Sequence, residues 1–364
     1  MVAGGCITKS SSQSPDRSYI EIIHLINPKL TYMFQDTRLS KVHFCNGGGI
    51  LQNQLLICGG IQAYQTPTKY ENDIVILGQQ NQLLANNKLL QSREFSTSVV
   101  LNDETIWIIG GFHTETTEFV FLDKSPVKGP DMPFRISAHV TIKVDEKRIF
   151  ILGGYNDKGK ASNQTLIVDP TNNFDIKRGP SMKTKRLCGS GSTMKVGGKQ
   201  YIVVAGGHSK CAVSGKINCN DKTELLDISL SGQEWIEGMQ CIISSLHIFY
   251  FMLYFLTFIN PITLIILGPK LPFELTASSM VTSPTGKGVI FTGGYRIPTN
   301  KFGTTSNDVY ELSGNSIELL EWTILEQKLQ YPRIMHASFP IPDEVSENLR
   351  EYKKQIKTNW CSLM

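Results

Sequence analysis

Short apolar runs that end in a pair of glycines recur along the chain. The clearest is RIFILGGY, residues 148–155, where large apolar residues lead into Gly153, Gly154 and Tyr155. LLICGG carries Gly59 and Gly60, TIWIIGGF carries Gly110 and Gly111, YIVVAGGH carries Gly206 and Gly207, and VIFTGGY carries Gly293 and Gly294. A shortened copy, VAGG, ends at Gly5. Each run is too short for a helix and predicts a buried strand. Paired glycines suit a strand end where the backbone takes positive φ or another segment packs closely.

The first glycines stand at 4, 59, 110, 153, 206 and 293, with spacings of 55, 51, 43, 53 and 87. Periods of about 50 residues predict propeller blades of four strands. Around Gly153, ISAHVTIKVDE reads as a first strand, KRIFILGG as the second, NQTLIVD from Asn163 as the third, and FDIKRGPSM as an outer fourth. At the start of the chain, SYIEIIHLI and KLTYMF (18–34) follow the shortened copy as third and fourth strands. IMHASFPIPDE (334–344) is a first strand with no second after it. The prediction is an all-β fold: a six-bladed propeller over residues 1–345, closed by N- and C-terminal strands in one blade, which hides otherwise open sheet edges.

These features resemble the kelch-repeat family of β-propellers, over roughly residues 1–342. The resemblance rests on the diglycines, on a following aromatic (Phe112, Tyr155, Tyr295), and on GP-x-(M/L)-P turns at Gly129–Pro133 and Gly268–Pro272, with a variant at Gly179–Met182. Trp235 precedes such a turn, and a second tryptophan stands at Trp322.

One stretch breaks the pattern. Residues 241–267 carry no Asp, Glu, Lys or Arg and match a membrane span in length. A single crossing there would separate the following strands from the blades they must close against. Deleting 239–268 instead joins EWIEG to PKLP, restores a kelch turn, and shortens the spacing of 87 to 57. The segment therefore reads as a retained intron or gene-model error, with an integral membrane protein as the alternative.

Net charge is +4, and no dense basic block marks a nucleic-acid surface. The eight cysteines show no framework spacing, and the first 20 residues lack an apolar signal region, so the expected setting is cytoplasmic. There is no P-loop, GxSxG, HExxH or CxxC, and neither metal nor cofactor is expected. His139 and His336 fall at matching places in two first strands and read as structural. The resemblance also covers propeller oxidases and sugar isomerases, which form the enzyme alternative.

Arginines recur where first strands begin: Arg38, Arg93, Arg135, Arg186 and Arg333, with Glu274 in one unit. Equivalent propeller positions return to one face, so five guanidiniums are expected to ring one end of the central channel. The resemblance implies a face that binds acidic or phosphorylated peptide, which suits bidentate guanidinium chemistry. The competing reading is that these arginines tie the turns between blades. The long loops Ile61–Asn72, His208–Lys222 and Tyr295–Asn307 are further specificity elements.

Residues 346–364 read as a polar, basic tail. Its last four residues, Cys361-Ser362-Leu363-Met364, match a C-a-a-X box, with Arg350, Lys353, Lys354 and Lys357 upstream. The expectation is a monomeric, non-catalytic adaptor or scaffold for a protein partner, with peripheral membrane attachment through farnesyl on Cys361.

Overall fold

The computed structural model describes residues 2–3, 6–7, 19–23, 25, 31–35, 47–62, 69–77, 88–156, 158–209, 219–229, 234–237, 269–296, 304–330, 332–334 and 336–361. Gly4, Gly5, Arg38, the apolar segment 239–268 and the final three residues lie outside them. Among the described residues, no helix is long and apolar enough to cross a membrane.

The fold is all-β and propeller-like, built of small antiparallel sheets. Sheet 1 holds Gly47–Leu51, Gln54–Gln62 and Lys69–Leu77. Sheet 2 holds Thr97–Asn102, Thr105–Ile109, Thr117–Val120 and Val127–Lys128. Sheet 3 holds Val140–Asp145, Arg148–Leu152, Thr165–Asp169 and Asp175–Arg178. Sheet 4 holds Ser190–Val196, Lys199–Ala205, Thr223–Asp227 and Ile236–Glu237. Sheet 5 holds Ser279–Thr282, Gly288–Thr292, Val309–Ser313 and Glu321–Ile324. In sheet 6 the strand Ala337–Ser338 pairs with Val2–Ala3, which pairs with Tyr19–Ile22 and then Tyr32–Gln35.

The apolar runs are nearly continuous because each second strand is covered on both faces. Along RIFIL the period is two: Ile149 and Ile151 join a cluster with Trp107 and Ile109 of sheet 2. Phe150 and Leu152 join Ile202 and Val204 of sheet 4. At about 2 kcal/mol for each fully buried side chain, packing between sheets dominates the stability. First strands differ: GGGIL, TSVVLN, SGSTMKV and SMVT are rich in glycine and hydroxyl residues. Neighbouring first strands touch one another from sheet 1 through to sheet 6.

The diglycines are where one sheet is fastened to the next. The N–H of the second glycine donates to a carbonyl at the start of the following unit: Gly60 to Arg93, Gly111 to Ile136, Gly154 to Arg186, Gly207 to Leu275 and Gly294 to Arg333, at 2.8–2.9 Å. The first glycine lies against that same carbonyl. A Cβ on Gly206, whose φ is +65°, would stand 2.6 Å from the Leu275 oxygen. Neither the dihedral nor the space admits a side chain.

After sheet 6 the chain departs from the expected strand and tail. Residues Asp343–Cys361 form helix α1, so the expected strand does not reach Glu344. Val345 and Leu349, one helical turn apart, are fully buried. They pack with Ile20 and Ile22 of sheet 6 and with Leu55, Ile57, Val75 and Leu77 of sheet 1.

Gly206→Ala is expected to destabilise by roughly 2–4 kcal/mol, from strain plus the clash with Leu275. Gly197→Ala, at φ +55° with no atom within 4 Å of its Cβ, is expected to cost about 1 kcal/mol. Urea unfolding midpoints of the two variants measure the difference, and equal losses would refute the clash.

Candidate functional site

The bonds from the second glycines set a common register at one mouth of the array. Arg93, Ile136, Arg186, Leu275 and Arg333 are the equivalent residues. Arg135 and Glu274 therefore stand one residue early, which corrects the expected ring of equivalent guanidiniums. The register slips because the positive-φ residue that follows is closer in some units. Phe95 and Cys188 come two residues after Arg93 and Arg186, whereas Ala138 and Ala277 come three after Arg135 and Glu274. These positive-φ residues are linked around the mouth: Ala138 N–H donates to the Phe95 carbonyl, Cys188 to Ala138, and Ala277 to Cys188.

Three arginines point into the fold. Arg93 Nε lies 2.8 Å from Glu118 Oε1, and its Nη1 donates to the carbonyls of Gly110 and Thr116 at 2.6 and 2.8 Å. Arg186 lies 2.8 Å from Glu224 and also donates to the Gly206 and Lys222 carbonyls. Arg333 lies 3.1 Å from Glu21. Both partners of each pair are at most 2% exposed at the side chain. Burial draws the Arg93 and Arg333 pKa values down and Glu21 up, each against the pull of its partner.

The carboxylates also cap the turn before each arginine. Leu90 and Gln91 N–H donate to Glu118, Lys183 and Thr184 to Glu224, and Gln330 to Glu21. These three guanidiniums tie the turn and present no arm to a ligand. Arg135 alone of the four described arginines is exposed, 3.5 Å from Glu115.

The glutamates are the residues that sequence reasoning missed. They occupy one register of the third strand, opposite Ile108, Val204 and Val2. The same register holds Val75 in sheet 1, Leu166 in sheet 3 and Tyr310 in sheet 5. Ile136 shares a buried cluster with Leu166, and Leu275 with Tyr310. Even-numbered sheets thus bury an ion pair where sheets 3 and 5 bury an apolar pair. A signal was present: SYIEI, TTEFV and KTELL carry a glutamate that QTLIV and NDVYE lack at that place.

The first strands enclose an axial cavity of about 500 Å³, lined by Ser96, Ser98, Thr141, Ser192, Thr282 and His336 among others. Its hydroxyls stitch adjacent sheets: Ser98 to Gly48, Thr97 to Thr141, and Ser192 to Thr282, at 2.6–2.8 Å. His139 Nε2 is 2.6 Å from Thr97 Oγ1 and His336 Nε2 is 2.9 Å from Thr292 Oγ1. Burial pushes both imidazoles down to about 3, so they are neutral at physiological pH. Lys143, at the other end, is spent on the Leu101 carbonyl and Glu146. Among the described residues no cluster of three His, Cys, Asp or Glu could hold a metal. The arrangement holds together a wall and offers no assembled acid, base and nucleophile.

What faces outward at the mouth is different in kind. Leu90 and Phe112 are 59% and 43% exposed. The His113 ring lies tilted against Phe112, at 3.8 Å between ring centroids and 58° between planes, and Arg296 lies 3.5 Å over the Phe273 ring. Of the three long loops, residues 63–68, 210–218 and 297–303 fall outside the described set.

No protein-family model matches the chain. No curated protein matches it either. Among solved structures it is similar to one titled "Structure of YjhT", with a TM-score of 0.51 and 14% identity, over 82% of this chain and 87% of that one. At that identity the likeness concerns the fold alone.

Removing one member of a buried pair, as in Glu224→Leu, is expected to cost about 3–5 kcal/mol. Adding Arg186→Ile, which imports the Ile136–Leu166 solution, is expected to recover about 2 kcal/mol or more. A double-mutant cycle measures this coupling, and additive losses would refute it.

The histidines make a second prediction. Both titrate at about 3 in the folded protein and near 6.5 when unfolded. Stability is therefore full above pH 6.5 and falls as the unfolded state takes up protons below it, by up to about 1.4 kcal/mol per pH unit for each. His139→Asn should flatten the slope between pH 6.5 and 4.5 by that amount, and an unchanged slope would count against a neutral buried imidazole.

Proposed function

We propose that this chain is a six-bladed kelch-type propeller, closed by its N- and C-terminal strands, that serves as a non-catalytic protein-interaction module. Six apolar clusters support the ring, each drawing on two adjacent sheets, including one between sheets 6 and 1 and one between sheets 5 and 6. Most of the recognisable ionic chemistry at the mouth is turned inward, while an aromatic, an aliphatic and an arginine face outward beside long loops. The observation that carries the reading is that outward set: Phe112 and Arg135, of types enriched at interfaces, stand with the exposed Leu90 on a frame of backbone hydrogen bonds. The expected acid-binding surface shrinks from five arginines to Arg135 among those described.

The end of the chain supports a membrane tether as part of the same proposal. Helix α1 is pinned by Val345 and Leu349 and ends at Cys361, with Arg350, Lys353 and Lys354 along it. Farnesyl on Cys361 would hold the propeller at a set orientation, with the basic residues as the second signal that one lipid chain requires.

The test uses the full chain as bait. Phe112→Ala with Arg135→Ala is expected to lower recovery of a specific partner by about tenfold or more while the melting temperature stays within about 2 °C. Unchanged recovery would remove this mouth as the working surface.

A further inference from the structure

We propose that Glu94 receives a basic side chain, arginine or lysine, from the bound partner segment. This rests on the interaction-module reading and names the chemistry of its ligand. Glu94 is 6% exposed, and among the described residues its carboxylate has no hydrogen bond and no ion pair. Its neighbour Arg93 is fully engaged with Glu118 and two carbonyls, and the exposed Arg135 has Glu115 beside it at 3.5 Å. A buried ionised carboxylate without a partner is costly. Burial accordingly pushes the Glu94 carboxyl up to about 7, with desolvation as its cause.

The equivalent residues in other units show how unusual this is. Ser137, Leu187, Thr276 and Ile334 hold that position, one after Ile136, Arg186, Leu275 and Arg333. Thr276 Oγ1 is satisfied by Nδ1 of His208, the residue after the preceding diglycine, at 2.8 Å. The residue after the diglycine that precedes Glu94 is Ile61, which has no polar group to offer. A carboxylate thus stands where the other described units carry a neutral side chain.

The neighbouring surface fits a cation. Phe112 N–H donates to the Glu94 carbonyl at 2.8 Å, so the exposed Phe112 belongs to the same stretch of the mouth. A guanidinium or ammonium paired with the Glu94 carboxylate would gain a charge-assisted hydrogen bond. A single carboxylate supplies too few oxygens for a calcium or magnesium site. The arginine ring predicted an acidic ligand; Arg93, Arg186 and Arg333 are internally paired instead, and among the described residues Glu94 is a buried carboxylate at this mouth without such a partner.

The probes are an acetylated, amidated Gly-Gly-Arg-Gly-Gly peptide and its citrulline counterpart, titrated into the full-length protein by NMR. The arginine peptide is expected to bind at least about tenfold more tightly than citrulline, which keeps shape and loses charge. Glu94→Gln is expected to erase that preference with no fall in melting temperature, and Glu94→Asp to keep part of it. Absence of binding by the arginine peptide, equal binding of citrulline, or an unchanged preference in Glu94→Gln would each overturn the proposal. If Phe112→Ala with Arg135→Ala lowers partner recovery while Glu94→Gln does not, the module reading stands and this assignment falls.

Discussion

A single backbone hydrogen bond, repeated, holds this architecture in register. The second glycine of each diglycine donates to a carbonyl at the start of the next unit, and the first glycine leaves that carbonyl room to approach. The bond needs two successive positive-φ residues and no Cβ, conditions that glycine meets without strain. Everything at the mouth is placed by it. The positive-φ residues Phe95, Ala138, Cys188 and Ala277 link one to the next, and the arginine or apolar residue at each entry takes its depth from the same bond.

The same geometric problem has two chemical solutions here. Where a third strand carries glutamate, an arginine enters and the pair is buried with its turn capped; where it carries leucine or tyrosine, isoleucine or leucine enters instead. A buried ion pair is not intrinsically the more stable choice, since desolvation offsets much of its attraction. Its additional contribution is to satisfy backbone carbonyls and turn amides that the apolar version leaves to other partners. The consequence for function is direct, because guanidiniums consumed in this way are unavailable to a ligand. Among the first-strand arginines that are described, Arg135 stands outside this register and is the exposed one.

The two ends of the array are treated unequally. At the mouth, Glu94 is a buried carboxylate without a side-chain partner among the described residues, and Leu90 and Phe112 are exposed. At the opposite end Phe339 and Pro340 line the cavity, and helix α1 begins three residues after Pro340. That helix packs Val345 and Leu349 between the first and last sheets.

Much of the strand order was legible because it is local. Period-two apolar runs, diglycines at a near-constant spacing and GP turns each act within a few residues, and they located the four strands around Gly153, although the first was begun and the fourth was ended four residues too far out. The partners of the arginines were not legible in that way. Glu118, Glu224 and Glu21 lie 25, 38 and 312 residues away along the chain, and only pairing of the strands brings them together. Nor could spacing separate Arg135 from Arg186, since both begin similar segments; a one-residue change in the distance to a positive-φ residue turns one outward and one inward. Val345 and Leu349 find a place to bury only through helix periodicity and the seam between two sheets. Local chemistry determined the repeat and its strands; burial of charge and the exposed surface were decided by tertiary structure, because desolvation depends on what packs around a group and not on its neighbours in sequence.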